Sequence, residues 1–358
     1  MSCIVAARTG WPVVHWSDKP MKPITVNMNM KKFRALLHFS VTFGMLAAAC
    51  FPLSHAQGSN YPNKVVKVIV PQPPGGGFDF VGRLLADRLG KQMGQSFVVE
   101  NKPGSGTLIG TDFVAKSAPD GYTLLTGSVS NIALNPGLYR NLPYDSLKDF
   151  EPLGLAVSYS YTLMARKDLS LGSLKDVVAF AKANPGKLTY ASAGNGSGQH
   201  VLAAALWHLA GVEITHVPYR GAQAAYQDLL GGRVDLFFDL SPTARVQVDA
   251  GTVRALALSG GARNPLHPDV PTILETGVAA LELESWFGYF APAKTPPEVL
   301  TRLRADLAQV IAAPDVTEAF RKAGGKPMSL NASDTRALVQ RDVQRWTRLI
   351  RDADIKAE

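Results

Sequence analysis

Two glycine-rich segments are the residues best suited to chemistry, and each lies between a predicted strand and a predicted helix. Backbone N–H groups can turn inward together where glycines follow one another, and a helix N-terminus adds positive partial charge. Two such segments facing each other would hold an anion. A tight turn that needs only one glycine is the alternative for the first segment. The candidate ligand-binding residues are Pro74, Gly75, Gly76, Gly77, Phe78 and Asp79 in the first segment, and Ala193, Gly194, Gly196 and Ser197 in the second.

Two further polar residues follow from the same arrangement. His200 lies just inside the helix that begins after the second glycine segment, where its side chain could touch the ligand. Asp239 ends a strand, and it either lines the cleft or caps the turn at Ser241. Asp79 is well placed to cap the first helix.

Enzyme motifs are missing from this sequence: there is no G-x-S-x-G, H-E-x-x-H or Walker loop. The four histidines after residue 56 show no metal-ligand spacing. Gly104, Gly106 and Gly110 imitate a dinucleotide fingerprint, but no acidic residue ends the next strand to hold a ribose. We therefore predict no catalytic residue, no cofactor and no metal.

The N-terminal region is typical of a secretory signal peptide. Lys31, Lys32 and Arg34 precede an apolar run over residues 35–51, and a small-residue cleavage site ends at Ala56. The run is too short and polar for a membrane span. Acylation of Cys50 as a lipoprotein is the alternative to cleavage, and Met28 or Met30 competes with Met1 as the start.

Cleavage after Ala56 changes both the charge and the redox chemistry of the chain. Both cysteines precede the cut, which removes thiol chemistry and disulfides from the mature protein. The formal charge of the whole chain is +8, but six basic residues and one acidic residue precede the cut. The remaining 31 basic and 28 acidic residues give +3, which does not indicate nucleic-acid binding.

Strands and amphipathic helices alternate after residue 64, which predicts an α/β fold with mixed, mostly parallel sheets. Three helices over residues 296–311, 314–323 and 333–350 follow an extended stretch over residues 281–292. At this length a chain usually divides into two domains. We predict an N-terminal segment over residues 1–56, lobe 1 over 57–157 and 280–358, and lobe 2 over 158–279, with crossovers near residues 155–162 and 264–283.

Many short motifs in this order resemble the receptors of tripartite tricarboxylate transporters, the Bug family of Gram-negative bacteria. The resemblance covers nearly the whole mature chain, although Gln72 and Arg220 depart from the common pattern. The matching positions are Pro73 to Gly76 with Asp79; residues 100–104 with Gly106; residues 119–124; Asn135 and Pro136 with Leu138 and Tyr139; residues 192–194 with Gly196, Ser197 and His200; residues 217–219 with Gly221; residues 228–232 with Val234 and Asp235; and Trp286 with Gly288.

The resemblance implies a two-lobed periplasmic-binding-protein fold of the type II, Venus flytrap kind. It also implies capture of a small carboxylate by backbone amides, water and a few hydroxyl groups, with Ser128, Ser130, Tyr219 and Gly221 as further contacts. The loaded receptor would be a periplasmic monomer that docks on membrane permease subunits. A receptor that signals to a membrane kinase, an enzyme and a structural envelope protein are the alternatives. Phe78, with Tyr159 and Tyr161, would favour an aromatic acid if these rings faced the ligand.

Overall fold

The computed structural model describes residues 61–357. The predicted signal peptide, the cleavage site, Cys50 and the alternative start sites lie outside these residues. Residues 61–357 fall within one compact unit by their residue contacts, and its division into two lobes stays a prediction. Within the described residues, no helix is long and apolar enough to cross a membrane.

The first part of the described chain alternates strands with helices, as predicted. A π-helical segment at Val129–Leu134 follows the third strand. The elements are β1 (Val66–Val70), α1 (Gly77–Met93), β2 (Phe97–Asn101), α2 (Leu108–Ala115), β3 (Thr123–Ser128), α3 (Asn135–Leu138), β4 (Phe150–Arg166) and α4 (Leu174–Ala183).

The second part continues the alternation and ends in helices. Its last strand, β10, was not predicted. The elements are β5 (Thr189–Ser192), α5 (Gly198–Ala210), β6 (Thr215–Pro218), α6 (Ala222–Leu230), β7 (Leu236–Leu240), α7 (Ser241–Asp249), β8 (Val253–Leu258), α8 (Ile273–Thr276), β9 (Glu284–Pro292), α9 (Pro297–Ala312), α10 (Pro314–Lys322), β10 (Lys326–Leu330) and α11 (Ala332–Asp352).

A single long strand, β4, links two groups of strands. It pairs antiparallel with β9 up to Ser160, and with β7 from Tyr161 onward. Almost every residue of β4 is buried, because sheet neighbours and helices cover both of its faces. The change of partner lies within the predicted crossover at residues 155–162, where the sequence pattern alone did not reveal a continuous strand.

The remaining pairings give a mixed sheet in the order β2-β1-β3-β9-β4-β7-β5-β6, with β8 and β10 added on β4. β1 pairs parallel with β2 and β3, and β5 pairs parallel with β6 and β7. The antiparallel pairs involve β4 or β9. Two sets of parallel strands, β1 to β3 and β5 to β7, therefore lie on either side of β4. The carboxyl ends of the strands within each set lie at one edge of that set.

The C-terminal helix α11 packs one apolar stripe against the rest of the chain. Val339, Trp346 and Ile350 are buried, and Val343 is half-buried. Trp286 Nε1 donates a 2.7 Å hydrogen bond to Asp342, which ties β9 to this helix. The helix packs against the π-helical segment and α3.

Candidate ligand-binding site

The carboxyl ends of β1, β2, β5 and β6 open onto one cavity of about 590 Å³, which we name the glycine-lined cleft. Loops after these parallel strands form its walls, as expected where open α/β sheets bind ligands. Its lining residues are Pro71, Pro73, Pro103, Gly104, Ser105, Gly106, Ala193, Gly194, Asn195, Pro218, Tyr219, Arg220 and Gly221.

The loops touch one another across this cleft. A Cβ atom on Gly106 would collide with the carbonyl oxygen of Asn195, and one on Gly221 would lie 3.0 Å from Pro73 Cγ. Only glycine permits such an approach of two backbones. The loops that follow β1 and β2 therefore meet the loops that follow β5 and β6.

A second cavity of about 720 Å³ lies on the other side of the first glycine segment, and we name it the helix-lined cavity. Gln223 Nε2 donates a 3.2 Å hydrogen bond to the carbonyl oxygen of Gly75 at its edge. The first turns of α6 and α7 form one wall. Its lining residues are Gly75, Gly76, Asp79, Phe80, Arg83, Leu84, Gln223, Tyr226, Pro242, Thr243, Val246, Gln247 and Ala323.

Asp79 organises the first glycine segment. Its carboxylate accepts hydrogen bonds from the Gly75 N–H at 3.1 Å, Arg83 Nε at 2.9 Å and Asn101 Nδ2 at 3.0 Å. Burial raises the pKa of Asp79, but hydrogen bonds from Arg83, Asn101 and Gly75 outweigh it and hold the pKa below its usual range. Gly76 is the N-cap of α1, so Asp79 fastens the loop before the helix and is not the predicted cap.

Two stacked histidines support the second glycine segment. The rings of His200 and His216 lie 4.2 Å apart, and His200 Nδ1 accepts the Gly196 N–H at 3.2 Å. His216 Nε2 and Ser192 Oγ share a 2.7 Å hydrogen bond. Burial lowers the pKa of His200 to about 4 and that of His216 to about 3, with a further contribution to His216 from His200. Both rings are therefore neutral at pH 7.

Asp239 is 1% exposed, and its carboxylate accepts three side-chain hydrogen bonds. The donors are Gln199 at 3.1 Å, Tyr226 at 2.9 Å and Thr243. Burial raises its pKa despite these donors. Since Tyr226 and Thr243 line the helix-lined cavity, Asp239 lies directly behind that wall.

The predicted site residues fall into four groups. Ala193, Gly194, Tyr219 and Gly221 line the glycine-lined cleft, and Gly75, Gly76 and Asp79 line the helix-lined cavity. Pro74 is exposed at the loop between them. The remaining predicted residues are buried, namely Gly77, Phe78, Ser128, Ser130, Gly196, Ser197, His200 and Asp239.

Several buried candidates have structural partners. Phe78 packs edge to face on Phe287 at 5.0 Å, so its ring belongs to the core and does not face the cleft as the aromatic-acid hypothesis required. Ser128 Oγ accepts the Ser130 N–H at 3.1 Å. Ser130, which follows β3, and Tyr161 in β4 both lie directly against Gly198 at the start of α5. This contact lies below the loops and connects the two sets of strands.

The residues around these cavities that were not predicted as site residues include Arg83, Gln223, Tyr226 and Thr243. The ion pair of Arg83 with Asp79 could have been predicted from the sequence, because residues four apart are neighbours on a helix. The other three become neighbours of the first glycine segment only through the fold. Among residues 61–357, no cluster of three or more potential ligands could hold a metal ion.

Comparison with known proteins identifies the family. A family model for the "Tripartite tricarboxylate transporter family receptor" matches residues 81–355. Protein BugT of Bordetella pertussis is 34% identical over 330 residues, covering 92% of this chain and 99% of BugT.

Two solved structures are similar over the described region. R. palustris Rpa4515 with adipate has a TM-score of 0.79 and 34% identity, covering 82% of this chain and 99% of that chain. MatC from Rhodopseudomonas palustris with bound malate has a TM-score of 0.77 and 31% identity, covering 81% and 100%. The chain therefore belongs to the receptor family of tripartite tricarboxylate transporters, which includes Bug proteins, and it is a solute-binding receptor, not an enzyme.

Proposed function

We propose that this receptor captures a small carboxylate between two lobes and delivers it to the membrane permease of a tripartite transporter. The observation that carries the proposal is the meeting of loops from both sets of parallel strands at the glycine-lined cleft. Residues 57–157 and 280–358 would form lobe 1, and residues 158–279 lobe 2. Ligand would favour the closed form through contacts that it makes better there.

Backbone N–H groups are the main binding groups in this proposal. The segment from Ala193 to Ser197 leads from the cleft into α5, and the first glycine segment leads from Pro73 in the cleft wall into α1. The first N–H groups of a helix have no partner within it and attract anions. His200 accepts the Gly196 N–H, Ser130 lies against Gly198, and Ser128 accepts the Ser130 N–H, while Tyr219 and Gly221 line the cleft beside them.

The ligand class is supported by relatives. The similar structures bind adipate and malate, both small carboxylic acids. A receptor of a transporter family meets its ligand outside the cytoplasmic membrane, which agrees with the signal-like sequence over residues 31–56. We infer a periplasmic location and a monomer.

A thermal-shift panel tests this function. The exported chain from residue 57 onward is heated with di- and tricarboxylates, acidic amino acids and aromatic acids, and with matched neutral amides as controls. A carboxylate that raises the melting temperature in a saturable way, while its amide does not, supports the proposal. A flat response across all acids contradicts it.

A further inference from the structure

Arg220 is the one cationic residue among the described residues that line the glycine-lined cleft. It is exposed, and no ion pair or hydrogen bond engages its guanidinium within residues 61–357. The corresponding cation of the helix-lined cavity, Arg83, is paired with Asp79. An unpaired positive charge therefore faces only one of the two cavities.

The local structure keeps Arg220 unpaired. The first acidic side chain after Arg220 in the sequence, Asp228, accepts hydrogen bonds from Tyr219 Oη and Arg233 Nη1, both at 2.7 Å. Hydrogen bonds from Tyr219 and Arg233 hold the pKa of Asp228 below its usual range, so this carboxylate stays ionised and engaged. It is committed to those two residues.

The backbone around Arg220 is fixed on both sides. The Tyr219 N–H donates to the Ser192 carbonyl oxygen at 3.0 Å. On the other side, Gly221 lies against Pro73, across the cleft from β6. Arg220 thus stands at a defined point on the wall, where the loop after β6 meets the loop after β1.

We propose that Arg220 makes the receptor selective for dicarboxylates by binding the second carboxylate of an extended ligand. The inference rests on the proposed function, which places the first carboxylate on the loop N–H groups. A second carboxylate that enters a cleft without a partner loses hydration at a cost in free energy. The guanidinium fork of Arg220 offers two parallel hydrogen bonds with the geometry that a carboxylate requires.

Pairs of acids of equal length show how much the second carboxylate contributes to binding. Adipate and hexanoate share six carbons, succinate and butyrate share four, and each pair differs by one carboxylate. We expect isothermal titration calorimetry of the wild-type chain to show that the better-fitting dicarboxylate binds at least tenfold more tightly than its monocarboxylate. Arg220→Gln should weaken dicarboxylate binding about tenfold, or about 1.4 kcal/mol, and change monocarboxylate binding less than twofold.

Two more variants control for charge. Arg220→Lys keeps the charge but loses the fork, so its dicarboxylate affinity should lie between those of wild type and Arg220→Gln. Arg140→Gln removes a positive charge from an exposed arginine outside the cleft and should leave both affinities at wild-type values. Ionic strength is held at about 0.15 M, where the Debye length is about 8 Å.

The proposal is overturned if Arg220→Gln weakens both acids of a pair equally, since Arg220 would then only attract anions in general. Unchanged dicarboxylate binding in Arg220→Gln also overturns it. In both cases, monocarboxylate binding by the wild type leaves the proposed function intact. If the wild type binds no acid of either pair and the thermal-shift panel is flat, both the inference and the proposed function are wrong.

Discussion

The glycine-lined cleft and the helix-lined cavity lie on either side of one loop, yet they differ in charge. Arg83 in the helix-lined cavity is neutralised by Asp79, whereas Arg220 in the glycine-lined cleft has no partner among the described residues. The larger cavity has the paired charge, and the smaller cavity has the free one. Volume alone would therefore favour the helix-lined cavity, whereas charge favours the cleft that we propose as the anion site.

The titratable groups behind the two cavities also differ in chemical type. Neutral His200 and His216 lie behind the cleft, and the carboxyl group of Asp239 lies behind the helix-lined cavity. Burial disfavours the charged form of each, so it lowers the pKa of the histidines and raises that of Asp239. Between pH 7 and pH 5, where Asp79 in the helix-lined cavity stays ionised, acid should therefore disturb the cleft more than the other cavity.

The largest effect should appear when the pH falls from 7 to 5. In the unfolded chain the histidines take up protons near their ordinary pKa of about 6.5, but in the folded chain not until about 4 for His200 and about 3 for His216. Their contribution to stability is complete above pH 6.5 and falls as the pH drops toward the folded values. Urea unfolding should show a loss of roughly 3 kcal/mol from the pair.

The His216→Phe variant isolates this effect. Phenylalanine keeps a ring stacked between Tyr190 and His200 but cannot take up a proton. The loss of stability between pH 7 and pH 5 should shrink by about half, because one titrating group is gone. An equal loss in the variant and the wild type would show that these rings do not set the acid sensitivity.

The next largest effect should come from valine in the wall of the cleft. Gly194 has φ +125°, a conformation that valine rarely adopts, and its Cβ would lie 3.2 Å from the Tyr219 carbonyl oxygen. Gly194→Val should weaken carboxylate binding at least about 100-fold, or about 2.7 kcal/mol, in calorimetry. Circular dichroism checks that the fold persists.

Gly76→Val is the matched variant on the other side of the loop. Gly76 has an ordinary φ of −97°, and the nearest atom to an added Cβ lies 4.0 Å away, so valine fits. It would cover N–H groups at the start of α1 and should cost about tenfold or less. A greater loss in Gly76→Val than in Gly194→Val would place the carboxylate in the helix-lined cavity.

Most of the fold could be predicted, because alternating buried strands and amphipathic helices leave a strong periodic signal. The helix α6, predicted over residues 222–230, and the strand β8, predicted over residues 253–258, have the predicted bounds. The strand β1 begins one residue later than its prediction over residues 65–70. β4 was missed as one strand because it is buried along its length and lacks the alternation of a half-exposed strand. A strand was predicted over residues 234–238, but β7 begins two residues later, because the Val234 N–H bonds to the Asp228 carbonyl oxygen in the preceding turn.

Only the glycine-rich loops of the candidate site could be predicted from the sequence, and its side-chain contacts could not. Runs of glycine between a strand and a helix mark Gly75 and Gly194 from the sequence alone. Gln223 bonds to Gly75, and Thr243 lines the same cavity, through the packing of distant parts of the chain, which no local pattern contains. The free charge of Arg220 likewise depends on Asp228 being engaged by other residues.

The smallest effect should come from Arg83→Gln, and it sharpens the comparison most directly. Arg83 and Arg220 are both arginines beside a cavity, so the same substitution in each tests whether pairing decides their roles. Without Arg83, the carboxylate of Asp79 still accepts hydrogen bonds from Gly75 and Asn101, which keeps the loop in place. Because Arg83 is about half exposed, its ion pair should contribute less than about 1 kcal/mol to stability.

Carboxylate affinity should therefore fall less than threefold in Arg83→Gln, against about tenfold for a dicarboxylate in Arg220→Gln. Calorimetry with the same acid and ionic strength compares the two variants, and thermal melting confirms that both are folded. A tenfold or larger loss in Arg83→Gln would mean that the ligand uses the positive charge of the helix-lined cavity. The paired arginine, and not the free one, would then be the group that holds the anion.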